Sequence, residues 1–134
     1  MIEAATAPEL KSALQTHLQE THGHVTRLDQ ILNRNQGPVK PKKNKGLDAL
    51  IVEGEDVITD SRDPAVRDAG IIGAAQKVEH YEIAAYGTLR RYAELLNENQ
   101  DASLLQQTLQ EEKHADEILT SIAETANRQA DRAA

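Results

Sequence analysis

The chain of 134 residues has no cysteine, no tryptophan and no phenylalanine, and only three tyrosines. Without cysteine there can be no disulfide, thiolate nucleophile or zinc–thiolate site. Without Phe or Trp the core must be assembled from Leu, Ile, Val and Ala, a composition that suits packed helices better than a sandwich of sheets. Positive charge is also short: Lys and Arg number 15 against 22 Asp and Glu. The net charge of −7 argues against broad nucleic-acid or anionic-membrane binding. No apolar run approaches the roughly 18–20 residues of a membrane span, and no signal peptide is visible. A soluble, cytoplasmic protein with a single domain over 1–134 is the expectation.

What is present is long helical periodicity. Thr6 can cap a helix, Pro8 suits its first turn, and Glu9 stands where a capping box wants an acid. Leu10, Leu14, Leu18, Val25, Leu28 and Leu32 follow helical spacing, which predicts a helix over 8–34. Residues 37–46, with two Pro, two Gly and four Lys, read as a solvated linker. A shorter amphipathic helix follows at 47–59, in which Gly54 predicts close approach of another backbone. Asp63 as N-cap and Pro64 at the first position open a third helix over 64–97. Asp101 is the expected cap of a last helix over 102–126, and Asn127 to Ala134 read as a frayed tail. The prediction is an all-α bundle of three long helices plus one short crossover helix.

Polar residues interrupt the apolar stripes. His17, Glu20 and His24 share one edge of the first helix, with His22 rotated away to solvent. Glu79 and Glu82, three residues apart, share an edge of the third with Ile72, Ala75, Tyr86 and Leu89 at about 100° per residue. Glu112 and Asp116 are one turn apart, in line with Leu105, Leu109 and Leu119. His80 and His114 point outward, so the Glu111-x-x-His114 spacing is set aside as a ligand pair. Tyr81, Tyr86 and Tyr92 read as packing residues.

Carboxylates facing a core need a cation, which is either a basic side chain or a metal. Acids and imidazoles projecting inward from several helices are how bundles hold two iron or manganese ions. An oxygen and nitrogen donor set without sulfur suits Fe, Mn or Zn. The candidate metal ligands are therefore His17, Glu20, His24, Glu79, Glu82, Glu112 and Asp116. Taken singly, Glu20 or Glu79 could instead reach solvent or a Lys or Arg, and His17 and His24 could be ordinary half-buried imidazoles.

Several strings resemble the YciE/YciF stress-protein family: His17-Leu18-Gln19-Glu20-Thr21-His22-Gly23, Asp63-Pro64-Ala65-Val66-Arg67-Asp68-Ala69, Leu104 to Lys113, and above all Gln76-Lys77-Val78-Glu79-His80-Tyr81-Glu82. The likeness covers nearly the whole chain. It implies a ferritin-like fold related to rubrerythrin and a carboxylate-bridged di-iron or di-manganese centre. The implied activity is oxidation of Fe(II), or reduction of O2 or peroxide, during stress. Glu79-x-Tyr81-Glu82 resembles the third-helix string of rubrerythrins, and Glu112 matches their fourth-helix glutamate. Asp116 stands where those proteins carry His. Glu20 resembles the second-helix acid, with His24 or His17 supplying nitrogen. The family generally begins with one more helix, which brings a further carboxylate; here Met1 falls just before the family's second helix. The resemblance therefore implies an apolar groove on the bundle, self-association into a homo-oligomer, and a metal site that is incomplete or completed across an interface. The opposing expectation is a non-catalytic helical scaffold that has lost a complete site. DNA protection of the mini-ferritin kind is disfavoured by the acidic charge.

Overall fold

The computed structural model describes residues 1–35, 40 and 42–133. Among the described residues there are four helices and no strand: α1 Pro8–Asn35, α2 Lys45–Asp60, α3 Pro64–Leu95 and α4 Asn99–Ala133. The all-helical expectation is met. The linker expected at 37–46 falls partly on residues outside those described, and α2 begins inside that range, at Lys45, capped by the Asn44 side chain.

The boundaries have local causes. The Asp63 carboxylate accepts from the Ala65 and Val66 amides and Pro64 follows at the first position, as the sequence predicts. Asn97 closes α3 in the left-handed region (φ 61°). The Asn97 amide returns to Glu94 O and the Glu98 amide to Ala93 O, which satisfies the last carbonyls.

The start of α1 departs from expectation. Thr6 does not cap with its own side chain; instead Asp68, from α3, accepts from Thr6 N (2.8 Å), Thr6 Oγ1 (2.6 Å) and Ala7 N (2.7 Å). A carboxylate at a helix N-terminus also answers the positive end of the helix dipole. Arg67 adds a bond to Ala4 O, so residues 4–7 are fastened to α3.

Helix α4 also departs, starting three residues before 102 and running to Ala133, well past the expected end at 126. Asp101 is not its cap. That side chain is buried inside the first turn and accepts from Arg34 and Asn35 of α1.

Helices α3 and α4 form an antiparallel hairpin with the largest shared contact, α2 lies against α3, and α1 lies against α4. Pairings of Glu53 with Lys77 and of Asn44 with Tyr81 show that α2 runs antiparallel to α3. Gly70 permits this approach, since a Cβ there would come within 2.5 Å of Val57 Cγ1. Gly54 is buried too, but what closes on it is the Met1 side chain, with Ala74 beside it, rather than a second backbone.

Two apolar clusters lie on either side of the middle of the bundle. Leu10, Ile71, Ile72, Ala75 and Leu119 form one, and Tyr86, Ala93, Leu105 and Leu109 the other. The α1 stripe is only partly covered: Leu10 is buried, whereas Leu18, Val25 and Leu32 are 40% exposed or more. Most of α1's packing is against α4 alone, so one side of its stripe has no neighbour among the described residues. Leu89 and Tyr92 on α3, and Leu96 at its C-cap, are exposed as well. No helix among the described residues is long and apolar enough to cross a membrane.

Candidate metal centre

Between the two apolar clusters the facing residues turn polar. The i, i+3 and i, i+7 spacing of Glu20 and His24 about His17 carries all three toward α4 and α3. Glu79 projects from the middle of α3 and Glu112 from the middle of α4. His24, Glu79 and Glu112 are buried, Glu112 completely.

Glu112 stands at the centre. Its Oε2 lies 3.5 Å from His17 Nε2, and its Oε1 lies 3.0 Å from His24 Nδ1. His17 Nε2 is also 3.2 Å from Glu79 Oε2, and His17 Nδ1 is 3.4 Å from Glu20 Oε2. The two imidazoles are 6.2 Å apart between centroids, and Tyr86 packs edge-on against His24 at 6.1 Å. Donor atoms of His17, Glu79 and Glu112 all lie within 4.8 Å of one another.

Apart from the His17 Nδ1–Glu20 Oε2 hydrogen bond, these atoms are close but not bonded. Both Glu112 oxygens, Glu79 Oε2 and His24 Nδ1 are buried with no aligned hydrogen-bond partner. Buried polar atoms are nearly always satisfied, so several orphans converging on one point are exceptional. Oxygen and imidazole nitrogen donors with unused lone pairs fit a divalent Fe, Mn or Zn ion.

The protonation equilibria are shifted accordingly. Burial alone would lower the His17 pKa, but Glu79 and Glu112 facing it, with Glu20 behind, raise it to about 9. His24 likewise is raised, Glu112 and Glu111 outweighing burial. Burial raises Glu79, and the nearby Glu112 adds to this while His17 offsets part of it. Burial, then the charges of Glu112 and Glu79, push Glu82 up to about 7. Tyr86 is pushed up to about 12 by burial and by Glu82 and Glu112. The centre therefore holds excess negative charge in a poorly solvated place, which a cation would relieve.

Of the seven candidate ligands, the structure gathers His17, Glu20, His24, Glu79 and Glu112. Glu82 stands half-buried beside them, within reach of their charges. Asp116 stands apart, accepting from Gln76 Nε2 (3.0 Å) and lying 3.4 Å from the exposed His80. His22 and His114 are exposed, as their rotation on the helix predicts. What the sequence reading missed is Glu111, passed over together with His114, and Arg27. The Glu111 carboxylate takes two bonds from Arg27 NH2 (2.8 and 2.7 Å) and lies 2.9 Å from His24 Nε2. Burial would raise its pKa, but Arg27 and His24 hold it below the usual carboxylate range. Arg27 also donates to Thr108 Oγ1 at 2.7 Å. One signal for this lay in the sequence: Arg27 is three residues after His24, on the same edge.

A helical bundle with an unsatisfied carboxylate–imidazole cluster at mid-length is the class that fold and site define. The chain belongs to the DUF892 family, described as a domain of unknown function, which matches residues 1–131. It is 44% identical to Protein YciF of Escherichia coli K12 over 124 residues, 92% of this chain and 75% of that protein. The crystal structure of the E. coli stress protein YciF superimposes with a TM-score of 0.90 at 42% identity, over 95% of this chain and 80% of that one. YcfI of Rhodopseudomonas palustris, provisionally described as a structural protein, gives 0.86 at 39% identity, over 89% and 76%. The resemblance to the YciE/YciF family is thereby borne out.

Proposed function

We propose that this chain is a metal-binding stress protein of the YciF type. In this reading Glu112, His17, Glu79, Glu20 and His24, with Glu82 beside them, would hold the ions. The observation that carries it is Glu112, fully buried, with each oxygen facing a different imidazole and neither oxygen hydrogen-bonded. A bound pair of iron or manganese ions would supply redox chemistry, the passage of electrons from Fe(II) to O2 or peroxide. The protein's own part is to hold the donors in a dry core, to release protons from His17 and Glu82 when cations arrive, and to exclude bulk water with the apolar clusters on either side. Leu18, Val25 and Leu32, exposed at seven-residue intervals on α1, support self-association of two copies through this stripe.

The test is an anaerobic Fe(II) titration of the purified chain, followed by air or peroxide. About two irons per chain, ferric absorbance in the near ultraviolet, and loss of both in Glu112→Ala are expected. No stoichiometric binding by a chain with an intact helical spectrum would overturn the reading.

A non-catalytic scaffold is the second reading. It is favoured by His17, whose raised pKa puts an imidazolium against Glu79 and Glu112 and supplies part of the cation they need, and by the description given to YcfI. A scaffold tolerates Glu112→Leu with unchanged oligomeric state and binds no iron.

A further inference from the structure

His24 is the most enclosed imidazole of the molecule, only 2% exposed, and it lies between two successive acids of α4. Its Nε2 is 2.9 Å from Glu111 Oε2 in an aligned hydrogen bond. Its Nδ1 is 3.0 Å from Glu112 Oε1 with no such alignment. The two nitrogens are thus treated differently, and Glu111 is the reason. Glu111 accepts two bonds from Arg27 and a weaker one from Gln107 (3.3 Å), so its carboxylate is held in place and remains an acceptor. Arg27 is held in turn by Thr108, a buried hydroxyl one turn before Glu111's neighbour Glu112. In its neutral form, an imidazole whose Nε2 faces a fixed acceptor carries its proton there and leaves the Nδ1 lone pair free.

We propose that Glu111, clamped by Arg27, is a positioning residue that fixes His24 as the Nε2–H tautomer and presents Nδ1 as a metal ligand beside Glu112. This deepens the metal-binding reading and rests on it. A carboxylate behind a histidine ligand orients the ring and raises its basicity, and removing such a partner costs about 10–100-fold in metal affinity. Glu111 touches no metal position itself. It acts through His24, which explains why an acid next to Glu112 is spent on a contact with Arg27 and not on the centre.

The probe is Zn(II), which is diamagnetic and takes the same nitrogen and oxygen donors. In the Zn(II)-loaded wild-type chain, long-range 1H–15N correlations of the His24 ring are expected to show Nε2 protonated and Nδ1 ligated. A ring protonated at Nδ1 overturns the proposal without any variant being made. In Glu111→Gln the amide oxygen is claimed by Arg27, which turns the NH2 toward Nε2 and moves the ring proton to Nδ1. Zn(II) affinity is then expected to fall roughly 10–100-fold with the helical spectrum unchanged, and Arg27→Lys to fall less. A purely structural ion pair would lower the melting temperature but leave affinity and tautomer as they were, and that result also overturns the proposal. Absence of Zn(II) and Fe(II) binding by the wild type is failure of the underlying reading instead. The positioning claim is then read from the metal-free chain at a pH that leaves His24 neutral, where Nε2–H is still required.

Discussion

Asp68 and Glu112 are both carboxylates on long helices, and both are closed off from water (4% and 0% exposed), yet their surroundings differ completely. Asp68 receives three short hydrogen bonds from Thr6 and Ala7 and sits on the N-terminus of α1. Glu112 receives none, although two imidazoles stand beside it. A buried acid whose lone pairs are all used is a joint between elements. A buried acid whose lone pairs converge unused with those of its neighbours is a joint to nothing, and its charge is one that a cation would relieve. Asp101, tied to Arg34 and Asn35, belongs with Asp68, and Glu79 belongs with Glu112.

This contrast breaks down first if Asp68 proves dispensable. Asp68→Ala leaves two backbone amides and a hydroxyl without their acceptor, and a loss of about 3 kcal/mol is expected in urea unfolding. The loss is the same with or without metal, because the joint is remote from the centre; a change below about 1 kcal/mol would remove Asp68 from its class.

The pH response of the metal-free chain is expected to be smaller and to come from the centre. His17 is raised from 6.5 to about 9, so the stability it contributes is complete below about 6.5 and lost as pH rises through about 9. Glu82, raised from 4.5 to about 7, has the same sign, contributing fully below about 4.5 and losing its contribution as pH rises through about 7. Glu111 is lowered, so its contribution is lost only on acidification. Thermal melts in a chelator should therefore fall steadily between pH 6 and 9.5, and a flat profile would show that the acids and imidazoles are not coupled. Saturating metal should flatten that slope, since bound ions replace the protons.

The smallest effect is expected at Glu112 itself. Replacing this buried acid with an apolar residue of similar size removes a desolvation cost, and neither imidazole is left alone, since His24 keeps Glu111 and His17 keeps Glu79 and Glu20. Glu112→Leu should leave the metal-free melting free energy within about 1 kcal/mol of wild type, or raise it, while abolishing Fe(II) binding. A loss comparable to that of Asp68→Ala would place Glu112 among the joints.

Most of the fold was legible because local chemistry agrees with it. Asp63 and Pro64 open α3 as capping rules require, Asn97 closes it, and the apolar spacing over 8–34 sets α1. What failed were positions where a partner from another element takes over a local role. Asp101 looks like a cap but is claimed by α1, and Thr6 looks like a cap but is relieved of that duty by Asp68. The end of α4 was missed because Ala, Arg and Gln, good helix formers, lie there among polar residues that read as a tail. At the centre, helical rotation alone separated His17, His24, Glu79 and Glu112 from the outward His22, His80 and His114. It did not place Glu111, since one residue's offset turns that side chain out of line with Glu112, and only His24 and Arg27 reaching over from α1 bring it into the network.

The joint between α1 and the rest of the bundle has one more consequence. Helix α3 shares the largest contact of the fold with α4, whereas α1 runs along α4, from Leu10 beside Leu119 to Arg34 on Asp101, with a smaller contact. In that contact, polar pairs from His17 and His24 through Arg27 to Arg34 interrupt the apolar packing. A small seam interrupted by polar pairs reopens more readily than an extended apolar one, so the amides of α1 are expected to exchange with solvent ahead of those in α3 and α4. Because α1 carries His17, Glu20 and His24, the same opening that exposes its amides would uncover the centre, and an ion bound across α1 and α4 would latch it shut. Loading and local stability would then be one equilibrium, and the exchange rate of α1 would be a direct meter of occupancy.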